Sequence, residues 1–496
     1  MKVVLISMPD TVPVIVHEMA VHMPNHGIAC VGGNIDAQHE VYLIDLVRKR
    51  GSIRRYLTRT LSRIKPGLVG LSAMAWQYDT CQKLARLIKT IVPDTKIVIG
   101  GYHATLMYEE IAASPESAVI DFMIRGEGEE ACRRLVNALS GTDRVEDIPS
   151  LSYKTQNGDF VHNPWAGPLD LSSIKLPIRD KRRLTWGYHI MYSNVELMET
   201  SRGCTRSCNF CSMKHMYGRT FRTYPIERVL ADLDDIYYKR KVKWIFLVDD
   251  NMVLDTERVM TLCDAIIKRG YKGLRLVVQA DCITVSRNEA MVKKMAEAGF
   301  CTFFLGIENA SQVNLIEAGK GDIVSASQKA VEICHRYDIM VIGGLIFGFP
   351  QDDEAAIIKN YEFFKSIGAD ASYCQILTPY PKTEMRHQLM RQGLITNPDD
   401  LKKYSGLWAN VRTHHLSSQR LQYLFWYHRQ HVLGWWKPPE LIQRRGRGWT
   451  AIWTYLFKPI LKKYYGHMLR REGWEGRYQR ELKRLEKMND FPDLED

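Results

Sequence analysis

The chain has 496 residues, 45% hydrophobic and 25% charged, which fits an ordinary globular protein of two to four domains. No apolar run reaches the roughly 18 residues that a spanning helix needs, and the N-terminus, MKVVLISMPD, lacks the apolar core and cleavage site of a signal peptide, so a cytoplasmic location is expected. The net charge of +12 is unevenly placed: the window from Arg420 to Arg471 holds eleven Lys/Arg against one acid, Glu440, and the rest of the chain is nearly balanced.

Residues 1–144 alternate short β-branched runs (KVVLISMP, VYLIDL, GLVGLSAMA, KIVIGGYHA, DFMIRGEGE) with amphipathic stretches such as TCQKLARLIKTIV. The alternation predicts an α/β, doubly wound parallel sheet, on which ligands lie beyond the carboxyl ends of the strands. Those ends carry Pro9, then Ser72 to Met74, then Gly100, Gly101, Tyr102 and His103, then Gly126, Glu127, Gly128 and Glu129. Residues 145–195 predict a hairpin around Asn157–Gly158 followed by an extended linker. From 196 to 385, six strand–helix units predict a partial (βα)6 barrel with its site at the carboxyl ends of the strands. Residues 386–496 read as mostly helical, basic and aromatic.

The sharpest feature is Cys204-Thr-Arg-Ser-Cys208-Asn-Phe-Cys211, in the loop after the first barrel strand. Three thiolates at this spacing can wrap one face of a cubic iron–sulfur cluster and leave one iron open, because such clusters normally take four thiolates. A structural zinc site, with nearby His215 as the fourth ligand, is the alternative. CX3CX2C with Phe210 before the last cysteine resembles the signature of the radical S-adenosylmethionine (SAM) superfamily. The resemblance implies a 4Fe-4S cluster on Cys204, Cys208 and Cys211, with SAM on its open iron, cleaved by one electron to methionine and a 5′-deoxyadenosyl radical. It also implies SAM contacts from Phe210, from Asp249 and Asp250 with Asn251 at the second strand end, and from Gln279 on the third. Glu308 in Gly306-Ile307-Glu308 and Gly348 in Gly348-Phe349-Pro350 complete the set. Two positions depart from the family: Asp281 stands where many relatives carry arginine, and Lys382 where they often carry glycine. Lys382 either brings a cation to the cavity rim or is solvated.

The N-terminal region resembles the Rossmann-like cobalamin-binding domain found before many radical SAM barrels. The resemblance places cobalamin at Ser72, Gly100, Gly101, His103, Gly126 and Glu127. No Asp-x-His-x-x-Gly string is present, so a base-off cobalamin with no histidine ligand is implied. Together the two resemblances imply a cobalamin-dependent radical SAM enzyme, with methylation of an unactivated carbon as the first reading. The substrate would be a small molecule, either hydrophobic (lipid, isoprenoid or tetrapyrrole-like) or a natural product. The external electron donor would be of the flavodoxin or ferredoxin type. The alternatives are a radical oxidative cyclase on the same cofactors and, more remotely, a methylthiotransferase using Cys30, Cys81 and Cys132 for a second cluster.

The stretch from 420 to 471 interleaves Trp426, Trp435, Trp436, Trp449 and Trp453 with basic residues. It suits peripheral contact with the anionic inner face of a membrane, or a cap that packs its aromatics on the barrel. Nucleic acid is not expected as a partner.

Overall fold

In the computed structural model, which describes residues 1–12, 22–190, 193–432 and 473–494, the β-branched runs form two seven-stranded sheets. The first contains β1 (Lys2–Ser7), β2 (Glu40–Asp45), β3 (Leu68–Ser72), β4 (Lys96–Gly100), β5 (Phe122–Ile124), β6 (Leu151–Lys154) and β7 (Phe160–His162). Its order is β2-β1-β3-β4-β5-β6-β7, and β1 to β5 are parallel. Alternate residues enter two separate cores. Val4, Ile6, Val69, Leu71, Ile97 and Ile99 pack against the helices at Ile53–Ile64 and Tyr78–Ile91. Val3, Leu5, Leu68 and Val98 pack against those at His26–Asn34 and Gly128–Ala138. Burial on both faces is why these strands read as continuous apolar runs. β6 pairs antiparallel with β5, and β7, joined to it around Asn157–Gly158, pairs antiparallel with β6, so the first sheet extends as far as residue 162.

The next segment runs along the seam between the sheets. Ile178 N–H donates to Ala29 O at 2.9 Å, and Arg183 N–H to Leu43 O at 2.8 Å. Arg179, 1% exposed, forms a bidentate pair with Asp232.

The second sheet contains β8 (His189–Ile190), β9 (Ser193–Met198), β12 (Trp244–Leu247), β13 (Arg275–Ala280), β14 (Phe300–Glu308), β15 (Met340–Phe347) and β16 (Ala371–Ile376). A two-stranded ribbon of β10 (Ser201–Arg202) and β11 (Arg222–Thr223) brackets the cysteine loop. β9 and β12 to β16 are parallel and ordered sequentially, the partial (βα)6 barrel expected from the sequence.

The C-terminal region closes both units. Leu421, Leu424 and Phe425 of the helix at Ser418–Val432 join the barrel core, and Tyr361 Oη donates to Phe425 O at 3.0 Å. Trp426 lies 5.4 Å from Tyr478 and 6.0 Å from Trp474, ring to ring, so the described part of the 420–471 stretch is a packed cap. Residues 433–472, with Trp435, Trp436, Trp449, Trp453 and most of the basic charge, lie outside the described residues. Among the described residues, no helix is long and apolar enough to cross a membrane. The tail then returns to the first sheet: Phe491 and Leu494 enter its core, and the Asp493 carboxylate accepts from Ile53 N–H at 2.7 Å and Arg54 N–H at 3.2 Å.

Candidate active site

The cysteine loop leaves the end of β10 through Gly203, whose φ of +86° and Cβ direction, 2.3 Å from Thr220 O, admit only glycine. Cys204, Cys208 and Cys211 are half-buried and unpaired. Burial pushes all three thiols up, Cys211 to about 12, so an arriving metal must displace protons. Among the described residues, these three thiols and His215 are not gathered closely enough to hold one ion without movement.

The loop is held by its neighbours. Asn251 Nδ2 lies 3.8 Å from Cys204 Sγ and donates to Asp281 Oδ2 at 3.0 Å. Asp281 caps the helix at Cys282–Arg287 through Thr284 N–H, 2.9 Å, and pairs with Arg206 of the loop at 3.0 Å.

Asp249 is buried and accepts from Thr200 N–H and Oγ1 and from Ser201 Oγ, so its carboxylate braces the approach to the loop. Asp250 accepts from Gly203 N–H at 2.9 Å, and burial raises it to about 7. Gln279 Nε2 reaches Asp249 O at 3.3 Å. Glu308 adopts φ +63° and pairs with Lys320 Nζ at 2.7 Å. Lys320 also lies within electrostatic reach of Cys208, and with Thr205, Arg206, Cys208, Asp281 and Gly306 it lines an open cavity of about 300 Å³. Sequence reasoning missed Lys320, because nothing in Gly319-Lys320-Gly321 distinguishes it from a solvated turn lysine. Phe210 packs on the barrel core, and Gly348, φ +90°, faces Leu421 of the cap while its N–H donates to Asp352. Lys382 also has a positive φ, +62°, and pairs with Glu110 at 2.8 Å across the seam.

On the opposing side, Gly101, φ +91°, turns the end of β4 so tightly that a Cβ would lie 2.9 Å from Ala73 O and 3.2 Å from Ser72 Oγ. A Cβ at Gly100 would meet nothing closer than 3.9 Å. Gly126, φ +73°, lies beside the half-exposed indole of Trp165. His103 is buried with its ring 4.0 Å from Tyr78, Nδ1 has no partner, and burial lowers it to about 4. Glu127 is committed to the seam: it accepts from Leu169 N–H at 2.8 Å and pairs with Arg202 at 2.8 Å and Arg222 at 3.0 Å. Arg202 also holds Glu129 at 2.6 Å and Glu199 at 3.0 Å.

The two sets of loops face each other. Tyr102, from the end of β4, is half-buried and within electrostatic reach of Tyr217, Asp250 and Cys211, and Thr105 Oγ1 lies 3.8 Å from Met216 Sδ. Cys30, Cys81 and Cys132, by contrast, lie on separate helices, with Cys81 and Cys132 in the cores on opposite faces of the first sheet. They cannot share a second cluster.

Two sequence-family profiles match the chain: a B12 binding domain over residues 12–136 and the radical SAM superfamily over residues 198–364. An uncharacterized methyltransferase of Pyrococcus horikoshii is 28% identical over 466 residues, 94% of this chain and 99% of its own. An anaerobic magnesium-protoporphyrin IX monomethyl ester cyclase of Rubrivivax gelatinosus is 24% identical over 397 residues, 78% of this chain and 70% of its own. Among solved structures, the radical SAM methyltransferase TsrM of Kitasatospora setae, with cobalamin and a [4Fe-4S] cluster bound, shares the fold. Its TM-score is 0.64 at 17% identity, over 80% of this chain and 76% of that one.

Proposed function

The chain belongs to the radical SAM superfamily, with a cobalamin-binding domain ahead of its barrel, and on that premise we propose that it methylates an unactivated carbon of an apolar small molecule. The observation that carries the reading is the opposition of the two strand-end surfaces around Tyr102, Tyr217 and Asp250. A methyl donor beside Gly100 and a radical source at the cysteine loop would share one space, as transfer to a single substrate carbon requires. When bound, the cluster with SAM supplies a 5′-deoxyadenosyl radical for hydrogen abstraction, and cobalamin a transferable methyl group.

The chain's own residues position and exclude. Cys204, Cys208 and Cys211 would hold the cluster. Phe210, Asp249, Asp250, Gln279, Glu308 and Gly348 would surround SAM. Ser72, Gly100, Gly101 and Gly126 would line the cobalamin side, with His103 and Glu127 supporting those loops from beneath. Alternation along the barrel strands supports an apolar substrate. Phe303, Leu305 and Ile307 fill the outer core, which leaves Phe304, with Phe246, Ile342 and Tyr373, to the barrel interior. Such a wall keeps water from a carbon radical.

The test is anaerobic turnover of cobalamin-loaded enzyme with isoprenoid, lipid and tetrapyrrole acceptors. Methylation consumes one SAM for its methyl and one for its radical, so S-adenosylhomocysteine and 5′-deoxyadenosine should appear in equal amounts with methylated product. Product-forming turnover that yields 5′-deoxyadenosine without S-adenosylhomocysteine would replace this reading with the cyclase one. Bound cobalamin should also be base-off with no imidazole ligand, and nitrogen hyperfine splitting from an axial imidazole in the cob(II)alamin electron paramagnetic resonance spectrum would refute that.

A further inference from the structure

We propose that His26, Cys30 and Glu199 form a zinc site at the seam between the two domains. His26 and Cys30 are four residues apart on the helix at His26–Asn34, so they share one face of it. Both are buried, 7% and 1% exposed, and Cys30 Sγ lies 3.1 Å from His26 Nε2. Glu199 follows β9 in the barrel, and its Oε2 lies 3.6 Å from the same Nε2. All three donor atoms are within 4.8 Å of one another. Zinc bonds of about 2.0 Å to nitrogen and oxygen and 2.3 Å to sulfur put tetrahedral neighbours roughly 3.2–3.6 Å apart, so the set needs little movement to close on an ion.

The arrangement is not a nucleophile–base relay. A relay uses opposite nitrogens of the imidazole, whereas here the sulfur and the carboxylate converge on Nε2 and Nδ1 has no partner. The oxygen that Glu199 turns to His26 also accepts from Arg202 Nε at 3.0 Å and Tyr224 Oη at 3.1 Å, contacts that orient a ligand as outer-shell partners do.

The seam also gathers the carboxylates of Glu127, Glu129 and Glu199 around the guanidiniums of Arg202 and Arg222, with Asp250 within electrostatic reach of Glu199 and Arg202. Three protein ligands leave the fourth position to water. Because the helix belongs to the first sheet and Glu199 stands five residues before Cys204, the ion would tie the cobalamin-binding domain to the root of the cluster loop.

The experiment counts zinc separately from iron in the full-length chain, equilibrated anaerobically with Zn2+ and then gel-filtered into metal-free buffer. About one zinc per chain is expected in the wild type and in the C204A/C208A/C211A variant, with at least a tenfold loss in C30S and in H26Q. Since either buried substitution could impair folding, Co2+ in the C204A/C208A/C211A variant gives an independent reading: a tetrahedral spectrum with a thiolate charge-transfer band. Zinc absent from the wild type, zinc retained by folded C30S and H26Q, or zinc lost with the three loop cysteines would overturn the proposal, as would cobalt bound without thiolate.

Discussion

Gly306 and Glu308 stand two residues apart on β14, and the space between them is filled from outside the strand. A Cβ at Gly306 would meet Glu308 Oε1 at 2.6 Å and Lys320 Nζ at 2.8 Å. Both are ends of flexible side chains, so G306A should fold normally while displacing the pair. If that pair faces SAM, binding weakens by roughly tenfold, about 1.4 kcal/mol, which equilibrium binding of SAM to the reconstituted enzyme measures. Unchanged affinity would remove Glu308 and Lys320 from the SAM site. His103 offers a test by pH. Burial lowers its pKa from 6.5 to about 4, so the unfolded chain takes up a proton that the folded chain refuses as pH falls through this window. The stability is complete above pH 6.5 and is lost toward pH 4, by roughly 2 kcal/mol between pH 7 and 5. H103F should lose correspondingly less over that interval in urea unfolding. An equal loss in both proteins would place the titration elsewhere. The cysteine triplet was legible because spacing alone carries its meaning. Lys320 was not, because its role comes from a turn that folds back under β14.

At the scale of elements, strands and their ends were read correctly wherever burial on both faces left an uninterrupted apolar run, as in β1, β3 and β15. Short pieces escaped: β10 and β11 are two residues each and carry no periodicity. Lys382 shows how a departure from a family pattern can be backbone rather than chemistry. Its φ of +62° is a conformation that glycine adopts freely and lysine at a cost of order 1 kcal/mol. Its ion pair with Glu110 is part-exposed and worth less than that. K382G should therefore be as stable as the wild type or slightly more so, with SAM cleavage within about twofold. A loss of several degrees in Tm, or of activity, would mean that the ammonium acts at the cavity rim after all.

At the scale of the molecule, the two sheets are joined by contacts between residues far apart in the chain, which no local pattern reveals. The Arg202 network links β10 to the end of β5, and Phe491 and Leu494 bring the C-terminus back to the first core. The aromatic content after residue 417 was visible, but its division between a packed cap and a basic stretch follows only from which helices Tyr423, Trp426 and Tyr478 meet. The central claim is that one chain brings a cobalamin and a SAM-cleaving cluster to a single cavity. Iron, cobalt and 5′-deoxyadenosine per chain, measured in anaerobically purified protein supplied with cobalamin and SAM, test it most directly. The account predicts about four irons and one cobalt per chain. In the C204A/C208A/C211A variant the iron and the 5′-deoxyadenosine should disappear while the cobalt stays. SAM cleavage persisting in that variant, or an active enzyme free of cobalt, would contradict it.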